Sequence, residues 1–151
     1  MAVGKTRTQG AIGKADFEAL AEFRYQLRRF LRFSEEVTHA NGITPLQYQL
    51  MLQVKGFPGR EWASVAELAE RLQAKHNGVV ALVSRCEVLG LVQRRASKSD
   101  RRRVEIYLTT EGDRVVRGLA DLHRTELQSL PDLLQGVSQA TLRKEIKHAS
   151  T

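Results

Sequence analysis

Apolar residues recur at helical spacing early in the chain. Phe17, Leu20, Phe23, Leu27, Phe30 and Leu31 form one stripe, with Glu22, Arg24, Arg28, Arg29 and Arg32 mostly off it, the pattern of an amphipathic helix. Asp16 is a good N-cap type and is expected to open that helix, and Asn41-Gly42 supplies the left-handed residues that end one. A stripe this long reads as core that is partly a subunit interface. A second helix is expected after Thr44-Pro45-Leu46-Gln47, where threonine caps, proline takes the first helical position and glutamine closes a capping box. Its apolar positions are Leu46, Leu50 and Val54, with Tyr48, Met51 and Leu52 around them, and Gly56-Phe57-Pro58-Gly59 stops it.

Trp62-Ala63 reads as a very short strand. Ser64-Val65-Ala66-Glu67 is a second capping box, opening a helix with Val65, Leu68, Ala69 and Leu72 inward. A turn near Gln73-Ala74 leads to a helix from about Lys75 to Leu89 with Val79, Leu82, Val83, Cys86 and Leu89 on one stripe and Gly90 as its cap. Strand alternation follows. Leu91-Val92 starts one strand, and Val104, Ile106 and Leu108 alternate with Arg103, Glu105 and Tyr107 in the next, joined by the turn Ser97-Lys98-Ser99-Asp100. Thr109 or Thr110 caps a long final helix marked by Val115, Val116, Leu119, Leu122, Leu127 and Leu130, which Pro131 kinks or ends. A short helix after Ser138, through Leu142 and Ile146, completes the pattern.

Composition narrows the picture. The 151 residues carry a formal net charge of +7, with 42% hydrophobic residues, enough for a globular core. Between Lys75 and Arg103 stand Lys75, Arg85, Arg94, Arg95, Lys98, Arg101, Arg102 and Arg103 against only Glu87 and Asp100. Nearly the whole positive excess thus sits in one stretch, as a local nucleic-acid footprint requires. The lone cysteine, Cys86, excludes an intramolecular disulfide framework and fits a reduced compartment. With neither a membrane-length apolar run nor the h-region of a secretory signal, a cytoplasmic protein without membrane association is expected. Residues 1–14, with Lys5, Arg7 and Lys14 among glycines, read as a flexible basic tail.

Two helices joined by a tight turn, the second basic and polar on its outer face, match a helix-turn-helix. Its inward stripe leaves Lys75, His76, Asn77, Val80, Ala81, Ser84 and Arg85 facing out or near the tip. Asparagine can bond adenine bidentately, arginine can bond guanine, and alanine or valine can meet a thymine methyl in a major groove. Arg101-Arg102-Arg103 at a hairpin tip suits a narrow minor groove, where negative potential concentrates. Asp100 beside them is expected to pair with a neighbouring arginine and aim it.

From Thr44 onward the chain resembles the MarR family of bacterial winged-helix transcription regulators. The carrying residues are Thr44-Pro45-Leu46-Gln47, Ser64-Val65-Ala66-Glu67-Leu68-Ala69, Leu89-Gly90-Leu91-Val92-Gln93-Arg94, Asp100-Arg101-Arg102 and Leu108-Thr109-Thr110-Glu111-Gly112. The resemblance implies a mainly α (α+β) fold, a winged helix-turn-helix lobe over about 44–110 within a single domain 15–151. Dimerisation helices are expected over about 15–42 and 110–149. It further implies a homodimeric repressor on a pseudo-palindromic duplex, with Arg102 in the minor groove, Asp100 orienting it and Ser64 as a helix cap beside phosphate. In this family a small aromatic or phenolic effector can release DNA from a cleft between dimerisation helices and lobe. Phe17, Phe23, Tyr25, Phe30, Tyr48 and Phe57 are candidates to line one, against their reading as core or seam. The chain departs from the family at Ala74-Lys75-His76-Asn77-Gly78, where a serine/threonine-rich helix start is usual. Gly78 there weakens a helix by up to about 1 kcal/mol relative to alanine.

Other chemistries have less support. His39, His76, His123 and His148 stand far apart with no ligand spacing, so no metal site is expected. Cys86, on an inward stripe, reads as a small hydrophobe rather than a redox sensor. No nucleophile–base pair, phosphate-cradling loop or paired carboxylates point to an enzyme, and no cofactor is implied. The competing class is a winged-helix interaction module whose basic wing meets an acidic protein partner.

Overall fold

A computed structural model describes residues 10–125 and residue 128. Eight elements follow in order: α1 (Lys14–Ala40), α2 (Pro45–Lys55), β1 (Trp62–Ser64), α3 (Val65–Leu72), α4 (His76–Val88), β2 (Val92–Ala96), β3 (Val104–Leu108) and α5 (Thr110–Leu122). The expected mainly helical fold with a small sheet is what the chain adopts. Its contacts group residues 32–125 into one compact unit and residues 1–31 with 126–151 into another. The first contains the whole expected 44–110 lobe, together with the last turns of α1 and all of α5. The expected features at Leu127, Leu130, Pro131, Ser138, Leu142 and Ile146 lie outside the described residues.

Local chemistry sets each boundary. α1 opens at Lys14, earlier than expected, because Asp16 works from inside the first turn: its Oδ2 accepts the Gly13 amide at 2.9 Å. At the other end the Ile43 amide reaches the Thr38 carbonyl (3.1 Å) and the Gly42 amide reaches that of His39 (3.0 Å). This Schellman closure is completed by the buried Ile43 side chain. Both predicted capping boxes form. Thr44 and Gln47 exchange bonds of 3.2 and 3.0 Å, and Ser64 and Glu67 exchange bonds of 3.2 and 3.1 Å, each cap contributing about 1 kcal/mol. Gln73 ends α3 in the left-handed region at φ +50°, and this single residue turns the chain into α4.

The three strands pair antiparallel in the order β1-β3-β2. Trp62 lies opposite Tyr107, which in turn lies opposite Gln93, while Ala63, Ile106 and Arg94 align on the other face. The core is built from Leu50, Met51 and Val54 of α2, Leu68, Val79, Val83, Ile106, Val116 and Leu119, all essentially inaccessible. Some apolar positions depart from expectation. Leu46, Leu52 and Leu89 are exposed because each lies off the buried side of its helix. Gly90 sits one position past the α4 cap, Leu89, in the left-handed region at φ +73°.

α5 stops at Leu122, and His123 folds back, its Nδ1 2.6 Å from the Leu119 carbonyl. His123 is buried, stacked on Tyr48 at 4.8 Å, edge-on to Phe33 at 5.5 Å, and 3.1 Å from Ser34 Oγ through Nε2. One imidazole thereby ties α1, α2 and α5.

The wing joins the helices through backbone. Thr109 donates its amide to the Leu91 carbonyl (3.0 Å) and its hydroxyl to that of Gly90 (2.5 Å), and then caps α5 by accepting the Gly112 amide. Gly112 is pressed so close that a Cβ there would stand 1.9 Å from the Leu91 oxygen. Gly112→Ala must therefore part the wing from α5. We expect a loss of about 3 kcal/mol or more in urea denaturation, at the upper end of overpacking costs. A change under about 0.5 kcal/mol, the range of ordinary surface substitutions, would contradict this packing.

Candidate nucleic-acid interface

α4 owes its orientation to the stripe Val79, Leu82, Val83 and Cys86, buried against α2, α3 and the sheet. What remains outward is the face expected from the sequence: Lys75, His76, Asn77, Val80, Ala81 and Arg85 are exposed. Lys75 takes the cap position with extended backbone and provides no side-chain cap. The first turn of α4 thus keeps amide groups available outward, where a helix end favours anions. Asn77 holds its carbonyl oxygen 2.9 Å from the Gly78 amide, which leaves its amide nitrogen as the outward donor. A Cβ at Gly78 would meet nothing within 4 Å, so close packing inside the lobe does not account for that glycine.

Ser84 departs from expectation. It is half-buried, its hydroxyl donates to the Val80 carbonyl (3.1 Å), and it accepts Arg94 Nη2 (2.8 Å). Arg94 also bonds the Val80 carbonyl at 3.3 Å and pairs with Glu87 at 2.7 Å. Ser84 is therefore part of a clamp between β2 and α4 rather than a free reader of bases. Strand parity carried the missed signal: Arg94 shares a face with Val92 and Ile106, and so had to point toward the helices.

At the wing tip Arg101 and Arg102 are exposed, while the loop beneath them is closely held. Ser97, buried, accepts the amides of Ser99 and Asp100 at 3.3 Å each, and its own amide bonds the Arg103 carbonyl at 2.9 Å. Asp100 Oδ1 accepts the Arg102 backbone amide at 3.0 Å, an Asx turn in place of the expected guanidinium pair. Arg103 leaves the tip altogether. Its guanidinium pairs with Glu67 at 3.1 Å and lies over the Trp62 ring at 4.9 Å. The alternation of β3 explains this, since Arg103 shares the outer face with Glu105 and Tyr107.

That outer face was not anticipated. Arg60 is stacked between Phe57 (4.2 Å) and Trp62 (3.7 Å) and is bonded to Glu67, while Arg95 lies over Tyr107 at 4.3 Å. Burial first, then the neighbouring Arg103 charge, lowers the Arg60 pKa from its ordinary value. Ser64 is buried with its hydroxyl engaged by the Glu67 amide, so it serves as a cap without offering a surface to phosphate. The six candidate effector residues have separate surroundings. Tyr48 lies in the core on His123 and Phe57 beneath Arg60, whereas Phe17, Phe23, Tyr25 and Phe30 are exposed along α1. Among the described residues, no three His, Cys, Asp or Glu side chains gather to hold a metal. No described helix is long and apolar enough to cross a membrane.

A capped helix, a three-residue turn with Gln73 left-handed, a second helix with an exposed polar face and a following β-hairpin define a winged helix-turn-helix protein. Comparison with known proteins makes the class specific. Residues 41–103, from just before α2 through β2 and the wing turn but not β3, match the sequence model of the MarR family. A Thauera aromatica protein assigned as the transcriptional regulatory protein for the hcr operon is 28% identical over 78% of this chain and 67% of its own length. The transcriptional repressor MdtR of Bacillus subtilis is 32% identical over 52% of this chain, under half (48%) of its own length. In fold, the chain is similar to AbsC, a MarR family transcriptional regulator from Streptomyces coelicolor. The TM-score is 0.70, with 21% identity over 94% of this chain and 96% of AbsC. It is also similar to a mutant of MepR from S. aureus bound to an oligodeoxyribonucleotide, with a TM-score of 0.61 and 20% identity over 85% of this chain and 96% of that one. In sequence the likeness to the MarR family is carried by residues 41–103.

Cys86 lies within α4 yet faces inward, and burial pushes its thiol up to about 11. Raising the pKa from 9.0 to about 11 cuts the thiolate fraction at pH 8 by about 100-fold. A thiol reagent should therefore label the folded protein at least that much more slowly than the urea-unfolded chain. Equal rates would show the thiol to be accessible.

Proposed function

We propose that this chain is a sequence-specific, double-stranded-DNA-binding transcription regulator acting as a homodimeric repressor on a pseudo-palindromic operator. The observation that carries the reading is a pairing within one compact lobe. The exposed α4 face from Lys75 to Arg85, free of acids, stands with a hairpin whose tip projects Arg101 and Arg102. Lys75, His76, Asn77, Val80, Ala81 and Arg85 are assigned to the major groove, and Arg101 and Arg102 to the flanking minor groove. Arg103, Asp100, Ser84 and Ser64 are assigned to support these residues. The MepR mutant bound to an oligodeoxyribonucleotide has the same fold and supports this use of the lobe. Repression is supported by the naming of MdtR, and the dimer by the exposed apolar stripe along α1. Single-copy exposure of so many large apolar side chains is the mark of an interaction face. Domain limits follow the same reading, with the wing lobe reading DNA and the α1 stripe and the chain beyond α5 joining the copies. Release by a small aromatic effector rests on the family resemblance alone.

Two recognition helices of such a dimer would lie in successive major grooves about 34–36 Å apart. Selection from a random duplex library should return a two-fold symmetric site. A module that binds an acidic protein partner instead would return none. Affinity should fall by orders of magnitude between about 50 and 200 mM salt, because phosphate neutralisation releases counterions. Asn77→Ala should cost about 1–3 kcal/mol on the selected site and leave non-specific binding unchanged. Arg102→Ala should weaken binding most where A·T-rich flanks are present. Equal loss on every sequence would remove the minor-groove assignment.

A further inference from the structure

We propose that Glu67 is a positioning residue for the wing: through Arg103 and Arg60 it sets the attitude of the Arg101-Arg102 tip. It thereby controls the share of DNA specificity read at the flanks of the site. This inference rests on the DNA-binding reading above.

Three observations carry it. First, one carboxylate collects donors from three segments: Oε1 accepts the Ser64 amide and Arg103 Nη2, each at 3.1 Å, and Oε2 accepts Arg60 Nη2. Second, Arg103 is where the tip loop closes. Its amide bonds the Asp100 carbonyl at 3.0 Å and its carbonyl receives the Ser97 amide at 2.9 Å. Arg101 and Arg102 are its immediate neighbours, so the side chain that reaches Glu67 is attached to the base of the tip. Third, Arg60 and Arg103 are like charges held over the same Trp62 ring at 3.7 and 4.9 Å. Glu67 is the acid between them, and without it the two repel and Arg103 is released toward solvent.

A stability role alone does not account for the arrangement. The α3 cap is complete with Ser64 and Glu67 and needs neither arginine. The Arg103 partner in the pair is 44% exposed, and pairs this exposed add little to folding. What the pair does fix is direction. It anchors the otherwise solvent-surrounded end of a two-stranded hairpin to α3, the helix that leads into α4.

Glu67→Gln separates these roles, because glutamine serves equally as the fourth residue of a capping box while losing the charge. On the full chain we expect a thermal midpoint close to wild type and unchanged base preferences at positions read by α4. The penalty of Arg102→Ala, measured by duplex titration on the selected site, should shrink by about fivefold or more in the Glu67→Gln background, as residues in one network couple. Arg103→Gln, which leaves α3 untouched, should shrink it to the same extent and serves in its place should Glu67→Gln unfold. An Arg102→Ala penalty equal in all backgrounds overturns the proposal, as does no penalty in wild type, since nothing would then be positioned. Failure of the wild-type chain to select any duplex is a different result and removes the DNA-binding reading itself.

Discussion

The backbone of Gly90 and Leu91 is the joint on which the lobe depends. Within two residues the chain leaves α4, enters β2, and receives the return of the hairpin through the Thr109 amide and hydroxyl. α5 then departs over the same spot with Gly112 against the Leu91 carbonyl. Four elements thus share one set of hydrogen-bonded and closely packed backbone contacts. The joint thereby holds α4 and the hairpin together at their common base. Side-chain packing tolerates small shifts by repacking, whereas hydrogen-bonded backbone in close contact has no such freedom.

Around this joint the main physical problem is crowded positive charge. Arginine outnumbers acid heavily between Lys75 and Arg103, yet the structure does not leave those charges to repel. Arg94 turns inward onto Glu87, Ser84 and the Val80 carbonyl. Arg103 turns outward onto Glu67, and Arg60, Arg95 and Arg103 lie over aromatic rings. Delocalised guanidinium suits such stacking better than a compact ammonium would. Arg101 and Arg102 remain projected at the tip, with Lys75 and Arg85 on the face of α4. The hairpin is therefore held from both faces, by Arg94 against α4 and by Arg103 against α3.

Much of this was legible because short-range rules govern it. Capping boxes at Thr44 and Ser64, the left-handed close at Asn41-Gly42, the inward stripe of α4 and the alternation of β3 depend on neighbours a few residues away. The sequence fails where one side chain serves a distant partner. Arg94, Arg95 and Arg103 look alike in a charge count, and only sheet parity together with the positions of Glu87, Tyr107 and Glu67 sends them to three different places. At Asp100 the charge pattern points to a guanidinium, whereas the carboxylate takes the nearer backbone amide of Arg102. His123 gave no pattern at all. Its role as a buried tie to Ser34 and Leu119, with Tyr48 stacked against it, depends on a contact 89 residues away in sequence.

α1 shows why burial and hydrophobicity must be read together. Its buried positions are Ser34 and Thr38, not the apolar stripe. Thr38 is made compatible with burial by its own helix, its hydroxyl bonding the Ser34 carbonyl at 2.8 Å, and Ser34 by the His123 ring. The apolar residues that a globular chain normally hides, from Phe17 through Leu31, are instead exposed. A helix whose polar positions are buried at one end and whose apolar stripe is exposed at the other has two separate packing duties. The end near Ser34 belongs to the winged lobe, through the histidine. The other end carries the more costly exposure, since apolar surface left in water forgoes the hydrophobic gain of burial. The same helix thus contributes buried polar positions to the winged lobe at one end and an exposed apolar stripe at the other.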